Sequence, residues 1–434
     1  MPVYVLDDET PGAWAPGGAA RWWLHHSLAA LTGDLRSLGV PLTIRRGAGQ
    51  AVIRDLVAET GARAVHASFS PEPWARQRFR ATAEALTPLG ARLRLFRGAS
   101  LFPPDRIRTR GDGAFSVFTP FAKACLALPK PPPPLPAPVH ITAAAAVDSI
   151  PESAWDLLPR HPDWAGGLRA AWVPGEREAQ QRLAAFAAGA ADRYAERRDF
   201  PHDDGTSMLS PHLKHGEISA GRIWHTFHAG VPGDSRDTFA RELLWREFFI
   251  HRLWHHPAMP EEPSRPEFAA MPWRNDPVAL EAWRRGRTGY PIVDAGMRQL
   301  WSAGWMHNRV RMIVASFLTK HLLIDWREGQ RWFWDTLVDA DLANNAGNWQ
   351  WVAGCGADAA PWFRVFNPVL QGRKFDPDGL YIRRFVPELA HLDARLIHTP
   401  WDAGTVYPAP IVDLPAGRAR ALAAFAACRR AGPS

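Results

Sequence analysis

The stretch that decides the fold reads Thr288-Gly289-Tyr290-Pro291, Gly304-Trp305-Met306-His307-Asn308-Arg309-Val310-Arg311-Met312, Asp339-Ala340-Asp341-Leu342-Ala343-Asn344-Asn345 and Asn348-Trp349-Gln350-Trp351. Carboxylates, amides, arginines and tryptophans recur here inside segments that otherwise show the apolar periodicity of buried helices. An ordinary core carries Leu and Val at such positions, because a buried polar group costs free energy unless it has a hydrogen-bonding partner. The pattern therefore predicts a helical domain that encloses a polar ligand such as a cofactor.

The composition is that of a globular protein with 434 residues and a 46% hydrophobic fraction, enough for two domains with their own cores. No run approaches the roughly 20 apolar residues of a membrane span, and residues 1–8 lack the basic-then-apolar pattern of a secretory signal. The scattered Cys125, Cys355 and Cys428 predict neither a disulfide framework nor a metal cluster. We therefore expect a cytoplasmic protein without a metal site and without a membrane anchor.

The charge and the tryptophan content bear on possible partners. A net charge of +7 favours a polyanionic partner such as DNA, although solvated surface arginine explains the charge equally well. The 21 tryptophans supply large flat faces that suit stacking on rings.

Residues 1–127 alternate short apolar runs with helical patterns, which predicts an α/β domain built on a parallel, Rossmann-like sheet. Gly47-Ala48-Gly49 lies between a strand and a helix but lacks the third glycine of a dinucleotide fingerprint, so we interpret it as a tight turn. We expect helices near 19–38, 50–60 and 73–88, and strands at Val3–Leu6, Pro41–Ile44, Ala64–Ala67 and Leu93–Phe96.

Residues 128–167 are predicted to form a linker, since the segment from Pro129 to Pro136 contains six prolines and must be extended and stiff. Beyond it strand patterns disappear and helical periodicity continues to about Ala427. The predicted fold class is therefore an α/β domain followed by an all-α domain over residues 168–434.

Two segments of the helical domain have a functional and a structural interpretation. Ser210 is a good N-cap and Pro211 suits the first helical position, so the hydroxyl-rich segment 205–211 is either a phosphate seat or simply a capped helix. Glu242, Trp245 and Phe249 share one face of a helix over residues 240–254. That carboxylate either lies at the rim of the fold or hydrogen-bonds a base stacked on the tryptophan.

The helix that follows Trp305 places Asn308, Arg311, Met312 and Ala315 on one face, with Arg309 pointing elsewhere. An inward arginine needs an anion, which Asp339 or Asp341 can supply. The amides of Asn344 and Asn345 follow this Asp-x-Asp and could hold a ribose or an adenine.

At these residues, from about Tyr194 to Leu389, the chain resembles the DNA photolyase/cryptochrome family, and within it the bacterial cyclobutane pyrimidine dimer photolyases. The resemblance implies a U-shaped FAD, active when fully reduced, buried in the helical domain. Arg311 would pair with Asp339, and Asn345 would face the redox-active ring nitrogen of the flavin. The residues expected to hold FAD are Tyr194, Thr206, Ser207, Met208, Leu209, Ser210, Asn308, Arg311, Asp339, Asp341 and Asn345.

The resemblance also implies a pocket for a pyrimidine dimer flipped out of duplex DNA. Trp245 and Trp351 would sandwich the dimer, Glu242 would hydrogen-bond its bases, and Met312 would be a further contact. Phosphates would pass the cationic positions Arg198, Arg309 and Arg364 at the mouth.

Light would drive an electron from reduced FAD to the dimer and so split it, with the electron returning afterwards. Trp349, Trp326 and Trp273 match the family's electron-transfer tryptophans, in order from the flavin to the surface. Core packing is the alternative explanation for any one of them. At the level of function, the alternative is a cryptochrome-like blue-light photoreceptor without repair activity.

Within the family, three residues favour dimer repair. Asn345 is the residue that photolyases carry beside the flavin, whereas plant and insect cryptochromes carry aspartate or cysteine there. Met312 stands where six-four photolyases have an essential histidine, and Trp351 completes the dimer sandwich. We also expect no signalling tail at the C-terminus, and a monomer.

The amino-terminal part departs from the family pattern. Family members begin with a strand carrying Trp-Phe-Arg-Arg-Asp-Leu-Arg and a helix, whereas this chain begins at the second strand, with either a misplaced start or a true shortening as the cause. We expect a gap or a new edge in the sheet. Around residues 70–76 the Asn-Glu pair of folate-binding relatives is missing, so a folate, a deazaflavin or no antenna chromophore all remain open.

Overall fold

A computed structural model describes residues 1–98, 100–144, 147–231, 233–358 and 363–430. Its first part alternates strands and helices as the apolar runs predict, with bounds that differ from the predicted ones by no more than about two residues. The elements are β1 Val3–Leu6, α1 Gly18–Ser37, β2 Thr43–Arg46, α2 Gly49–Thr60, β3 Ala64–Ser68, α3 Pro73–Leu86, β4 Arg92–Phe96 and α4 Phe118–Leu126.

The four strands form two separate parallel pairs. β1 pairs with β2 from Val3 opposite Thr43, and β3 pairs with β4 from Ala64 opposite Arg92. Within the described residues the two pairs do not join into one sheet. The parallel pairing is as predicted, and the separation of the two pairs agrees with the expected gap in the sheet.

Within the described residues beyond β4, every regular element is a helix or a helical turn. Residues 127–150 contain no helix or strand where the structure describes them, in keeping with their prolines. The remaining helices are α5 Gly166–Ala171, α6 Glu176–Ala188, α7 Tyr194–Arg197, α8 Ser210–Lys214, α9 Ala220–Gly230, α10 Gly233–His255, α11 Pro277–Arg284, α12 Pro291–Ala303, α13 Asn308–Ser316, α14 Trp326–Thr336, α15 Leu342–Ala353, α16 Pro368–Phe375, α17 Leu380–Phe385 and α18 Leu414–Arg430.

Two glycines allow the central helices to approach closely. A Cβ on Gly347 of α15 would lie 2.0 Å from Cδ1 of Phe249 on α10, and one on Gly329 of α14 would lie 2.1 Å from Cη2 of Trp349 on α15. Because no side chain larger than hydrogen fits at either point, α15 lies directly against both neighbours. This packing encloses α15, the helix that carries Asn344, Asn345 and Asn348.

Helix α4, which precedes the proline-rich segment, packs on α10 rather than on the strands. Its buried Phe118, Phe121 and Cys125 belong to the same apolar core as Phe248 and Leu244 of α10. The end of the amino-terminal half thus contributes to the hydrophobic core of the helical half.

Candidate active site

A cavity of about 530 Å³ lies among the helices of the second half, within the size range of cofactor pockets. Its wall brings together residues from α7, α8, α10, α13, α14 and α15 and from the loops between them. The predicted site residues that line it are Tyr194, Arg198, Thr206, Ser210, Glu242, Trp245, Asn308, Arg309, Arg311, Met312, Asp339, Asp341, Asn345, Trp349 and Trp351.

The inward arginine of α13 has the anionic partner that its position requires. The Arg311 guanidinium donates to Oδ2 of Asp339 at 2.7 Å and to the Met306 carbonyl at 2.7 Å. Asp339, rather than Asp341, is therefore its partner. The second carboxylate oxygen of Asp339, Oδ1, is buried and has no hydrogen-bond partner among the described residues. A ligand donor in the cavity would satisfy it.

Asp341 begins α15 as its N-cap and is held by the helix it caps. Its Oδ1 accepts from the backbone N–H of Asn344 at 2.8 Å and from Nδ2 of the same residue at 2.7 Å. Burial alone would raise the pKa of Asp341, but Lys214, Arg246 and the Asn344 hydrogen bonds together hold that pKa below its ordinary value. This carboxylate stays ionised, ready to accept hydrogen bonds from ligand hydroxyls.

Asn345 is oriented by the backbone of α14. Its Nδ2 donates to the carbonyl of Gln330 at 2.9 Å, which leaves Oδ1 free to accept a hydrogen bond. The side chain lines the cavity and is only 8% exposed. An acceptor fixed in this way favours the protonated, N–H form of a ring nitrogen that faces it.

The cavity wall also contains a cluster of arginines and carboxylates. Arg198 donates to Oε1 of Glu242 at 2.5 Å, and Arg309 donates to Oδ2 of Asp199 at 2.6 Å. Arg309 also lies over the ring of Phe375, 4.3 Å from its centroid. Arg309 thus points toward other partners than Arg311 does, as predicted, although both residues line the cavity.

Two tryptophans predicted to bind bases, Trp245 on α10 and Trp351 on α15, both line the cavity. The ring of Trp245 stacks on Phe118 of α4, with centroids 3.8 Å apart and planes 4° from parallel. The sequence did not indicate this contact, since the two rings are far apart along the chain.

The three tryptophans predicted to carry electrons differ in depth. Trp349 lines the cavity and is 3% exposed, Trp326 is buried at 1%, and Trp273 is partly exposed. Trp349 lies against Gly329, one turn after Trp326 on α14, so α14 connects the two. Trp349 borders the cavity and Trp273 is the most exposed of the three, which agrees with the two ends of the predicted order, and their role in electron transfer stays a prediction.

The hydroxyl-rich segment lies differently from the prediction. Thr206 and Ser210 line the cavity, but Ser207, Met208 and Leu209 are not among its lining residues, and Leu209 is buried in the core. Ser210 is the first residue of α8 rather than its cap, and its Oγ accepts a hydrogen bond from Nε1 of Trp305 at 3.2 Å.

Several residues of the site escaped the sequence analysis, and Arg364, predicted at its mouth, does not line it. Lys214 and Arg246 supply positive charge to the wall, and Trp283 packs edge-on to Trp349 with centroids 6.1 Å apart. Lys214 stands four residues after Ser210, a spacing that could have identified it. Arg364 is exposed and does not line the cavity.

Comparison with known proteins identifies the family. The family model described as the FAD binding domain of DNA photolyase matches residues 239–427, and the model described as DNA photolyase matches residues 1–139. The deoxyribodipyrimidine photo-lyase of Agrobacterium fabrum is 47% identical over 446 residues, which cover 99% of this chain and 92% of that relative. The chain belongs to the DNA photolyase family.

Two other relatives also match this chain over most of its length. The crystal structure of a bacterial class III photolyase from Agrobacterium tumefaciens matches with a TM-score of 0.95 at 47% identity, covering 99% of this chain and 92% of that one. Cryptochrome-1 of Arabidopsis thaliana is 36% identical over 96% of this chain but only 65% of its own length. These matches confirm the predicted fold of an α/β domain followed by a helical FAD-binding domain.

The residues present fit FAD, the cofactor of this family's helical domain. The unsatisfied Oδ1 of Asp339, the ionised Asp341 and the fixed Oδ1 of Asn345 offer acceptors to a flavin ring and a ribose. Lys214 and Arg246 offer positive charge to a pyrophosphate.

No group of three His, Cys, Asp or Glu side chains placed to hold a metal ion occurs within the described ranges. Among those same residues, no helix is both long enough and apolar enough to cross a membrane.

Proposed function

We propose that this photolyase-family protein is a deoxyribodipyrimidine photo-lyase, which uses light to split cyclobutane pyrimidine dimers in DNA. The observation that carries the proposal is the combination of two sites in one cavity. Residues suited to FAD, such as Asn345 and Asp339, share the cavity with two tryptophans and a carboxylate, Trp245, Trp351 and Glu242, for which FAD binding alone gives no reason.

The FAD side of the cavity is assigned to the carboxylates and cations of α13, α15 and the segment before α8. Arg311 keeps Asp339 in place through the 2.7 Å ion pair, and Asp341 is fixed by Asn344. Thr206 and Ser210 face the same space as hydroxyl donors. Reduced FAD bound here supplies the electron that light transfers to the dimer.

The dimer side is assigned to the two tryptophans and Glu242. Flipping a nucleotide out of the duplex costs a few kcal/mol, least for a damaged base, and base–aromatic stacking returns about 1–3 kcal/mol per base. Trp245 and Trp351 therefore supply an interaction of the right size to hold a flipped dimer. Undamaged bases stay stacked, because the full flipping cost opposes them.

The ion pair with Arg198 fixes the position of the Glu242 side chain, which can then contact the bases of the dimer. That side chain is about one-third exposed, so one carboxylate oxygen can accept hydrogen bonds from base N–H groups while the other keeps Arg198. Arg198 and Arg309 add positive charge where the phosphates of a flipped nucleotide pass.

We also propose the electron route Trp273–Trp326–Trp349 for reducing oxidised FAD. Trp349 supports it because the ring lines the cavity, and Trp273 supports it because the ring reaches solvent. The roles of Ser207, Met208, Leu209 and Arg364 stay predictions, as do a cytoplasmic location and a monomeric state. The antenna chromophore, whether a folate, a deazaflavin or none, is likewise open.

The test is repair of an oligonucleotide with one defined thymine dimer by anaerobically reduced protein, under blue light and in darkness. Light-dependent return of intact thymines, with no return in darkness, is the result we expect. Protein that retains FAD and binds the dimer without repairing it would instead act as a photoreceptor of the cryptochrome kind. Glu242→Gln, which keeps the size of the side chain and removes its charge, is the matched variant and should repair more slowly.

A further inference from the structure

Trp245 has two ring faces, and Phe118 covers one of them. The two rings are almost parallel, at 4°, with centroids 3.8 Å apart. Phe248 meets the edge of Trp245 at 5.7 Å and 83°. Trp245 lines the cavity and Phe118 does not, so the uncovered face of the tryptophan is the one available for a ligand.

The phenylalanine behind Trp245 is itself held firmly. Phe118 is the first residue of α4, and one turn later Phe121 packs on Phe248 at 5.4 Å and on His251 at 5.1 Å. Phe118 and Phe121 are 7% and 0% exposed. The ring of Phe118 therefore cannot turn away from Trp245 without moving α4 off α10.

We propose that Phe118, at the start of α4, is a positioning residue for recognition of the dimer. It fixes the plane of Trp245 before DNA arrives, so that the ordering of that ring does not oppose binding. The proposal rests on the proposed function, which assigns the dimer to Trp245. Phe118 touches no DNA, so binding of undamaged DNA through the cations of the mouth does not depend on it.

The test compares three variants of the full-length, FAD-loaded protein. Phe118→Leu removes the ring, Phe118→Tyr keeps it, and Phe121→Leu is the matched control, because Phe121 packs in the same core without touching Trp245. The quantity measured is the ratio of Kd for undamaged duplex to Kd for the same duplex with one thymine dimer. We expect Phe118→Leu to lower that ratio about two- to tenfold, the equilibrium factor of an aromatic pair.

Phe118→Tyr and Phe121→Leu should keep the wild-type ratio, although Phe121→Leu should lower Tm. An unchanged ratio in Phe118→Leu would overturn the proposal, and so would an equal fall in Phe121→Leu, which would indicate general loosening. If Phe118→Leu fails to hold FAD, Phe118→Met replaces it, because the flexible methionine side chain fills the space of the ring without offering a flat face. A lowered ratio in that variant supports the positioning role, and an unchanged ratio refutes it.

The wild-type protein separates this proposal from the proposed function. A wild-type protein that binds both duplexes equally contradicts dimer repair itself. A wild-type protein that prefers the dimer, together with a Phe118→Leu variant that prefers it equally, leaves the function standing and removes only the positioning role.

Discussion

Gly329→Ala should displace the tryptophan that borders the FAD site. A Cβ at Gly329 would lie 2.1 Å from Cη2 of Trp349 and 2.5 Å from Cζ3, whereas ordinary contact begins near 3.4 Å. The ring must therefore retreat by about 1.3 Å. Phe333 and Trp283 flank it, with centroids at 5.0 and 6.1 Å, so the retreat leads into the cavity that Trp349 lines.

The expected result is weaker FAD binding. Overpacking of a well-packed site costs about 1–3 kcal/mol, and if all of it falls on the FAD-bound state, Kd for FAD rises by about 5- to 150-fold. Titration of the apoprotein with FAD measures this change directly. Photoreduction of the oxidised, FAD-saturated variant gives a second readout, because the displaced ring is the innermost member of the proposed electron route.

The matched control is Gly33→Ala, near the C-terminal end of α1, where nothing lies within 4 Å of the added Cβ. That variant should gain about 0.5–1 kcal/mol of stability, as expected when alanine replaces glycine within a helix, and should bind FAD as the wild type does. Wild-type FAD affinity together with wild-type photoreduction in Gly329→Ala would refute the packing argument for Trp349.

Three other substitutions test separate parts of the molecule. Trp245→Ala should weaken binding of dimer-containing DNA by about 1–3 kcal/mol in a fluorescence-anisotropy titration, and equal losses with undamaged DNA would contradict the stacking role. Trp349→Phe should block photoreduction of oxidised FAD, followed by absorbance, yet spare repair by chemically reduced protein; surviving photoreduction would require another route. Burial raises the pKa of Glu247 to about 7, so the folded state favours its protonated form and loses stability as pH rises from about 4.5 to about 7. Glu247→Gln should remove up to about 3 kcal/mol of that pH dependence, seen as a flatter plot of Tm against pH, and an unaltered slope would place the titration elsewhere.

Much of the architecture could be predicted because it depends on local pattern. The strands of the first half follow short apolar runs, and their bounds came within about two residues. The ion pair of Arg311 with Asp339 could also be predicted, since an arginine on an apolar helix face requires an anion. Contacts that depend only on local chemistry can therefore be predicted from a single sequence.

The remaining features depend on distant contacts that no local pattern carries. The turn of Arg309 toward Asp199 requires the segment after α7 to lie beside α13. Ser210 does not cap α8 as expected. Its hydroxyl instead accepts a hydrogen bond from Trp305, a residue far along the chain. The stack of Phe118 on Trp245 likewise exists only once α4 lies on α10.

The separation of the strands into two parallel pairs affects local unfolding in the first half of the protein. Each pair exposes backbone donors and acceptors along its outer strands within the described residues, so few interstrand hydrogen bonds resist local unfolding there. Amide hydrogens of β1 and β3 should therefore exchange with solvent well before those of α10 and α15. The strands can therefore fluctuate as a separate cooperative unit while the helices around the flavin cavity stay closed.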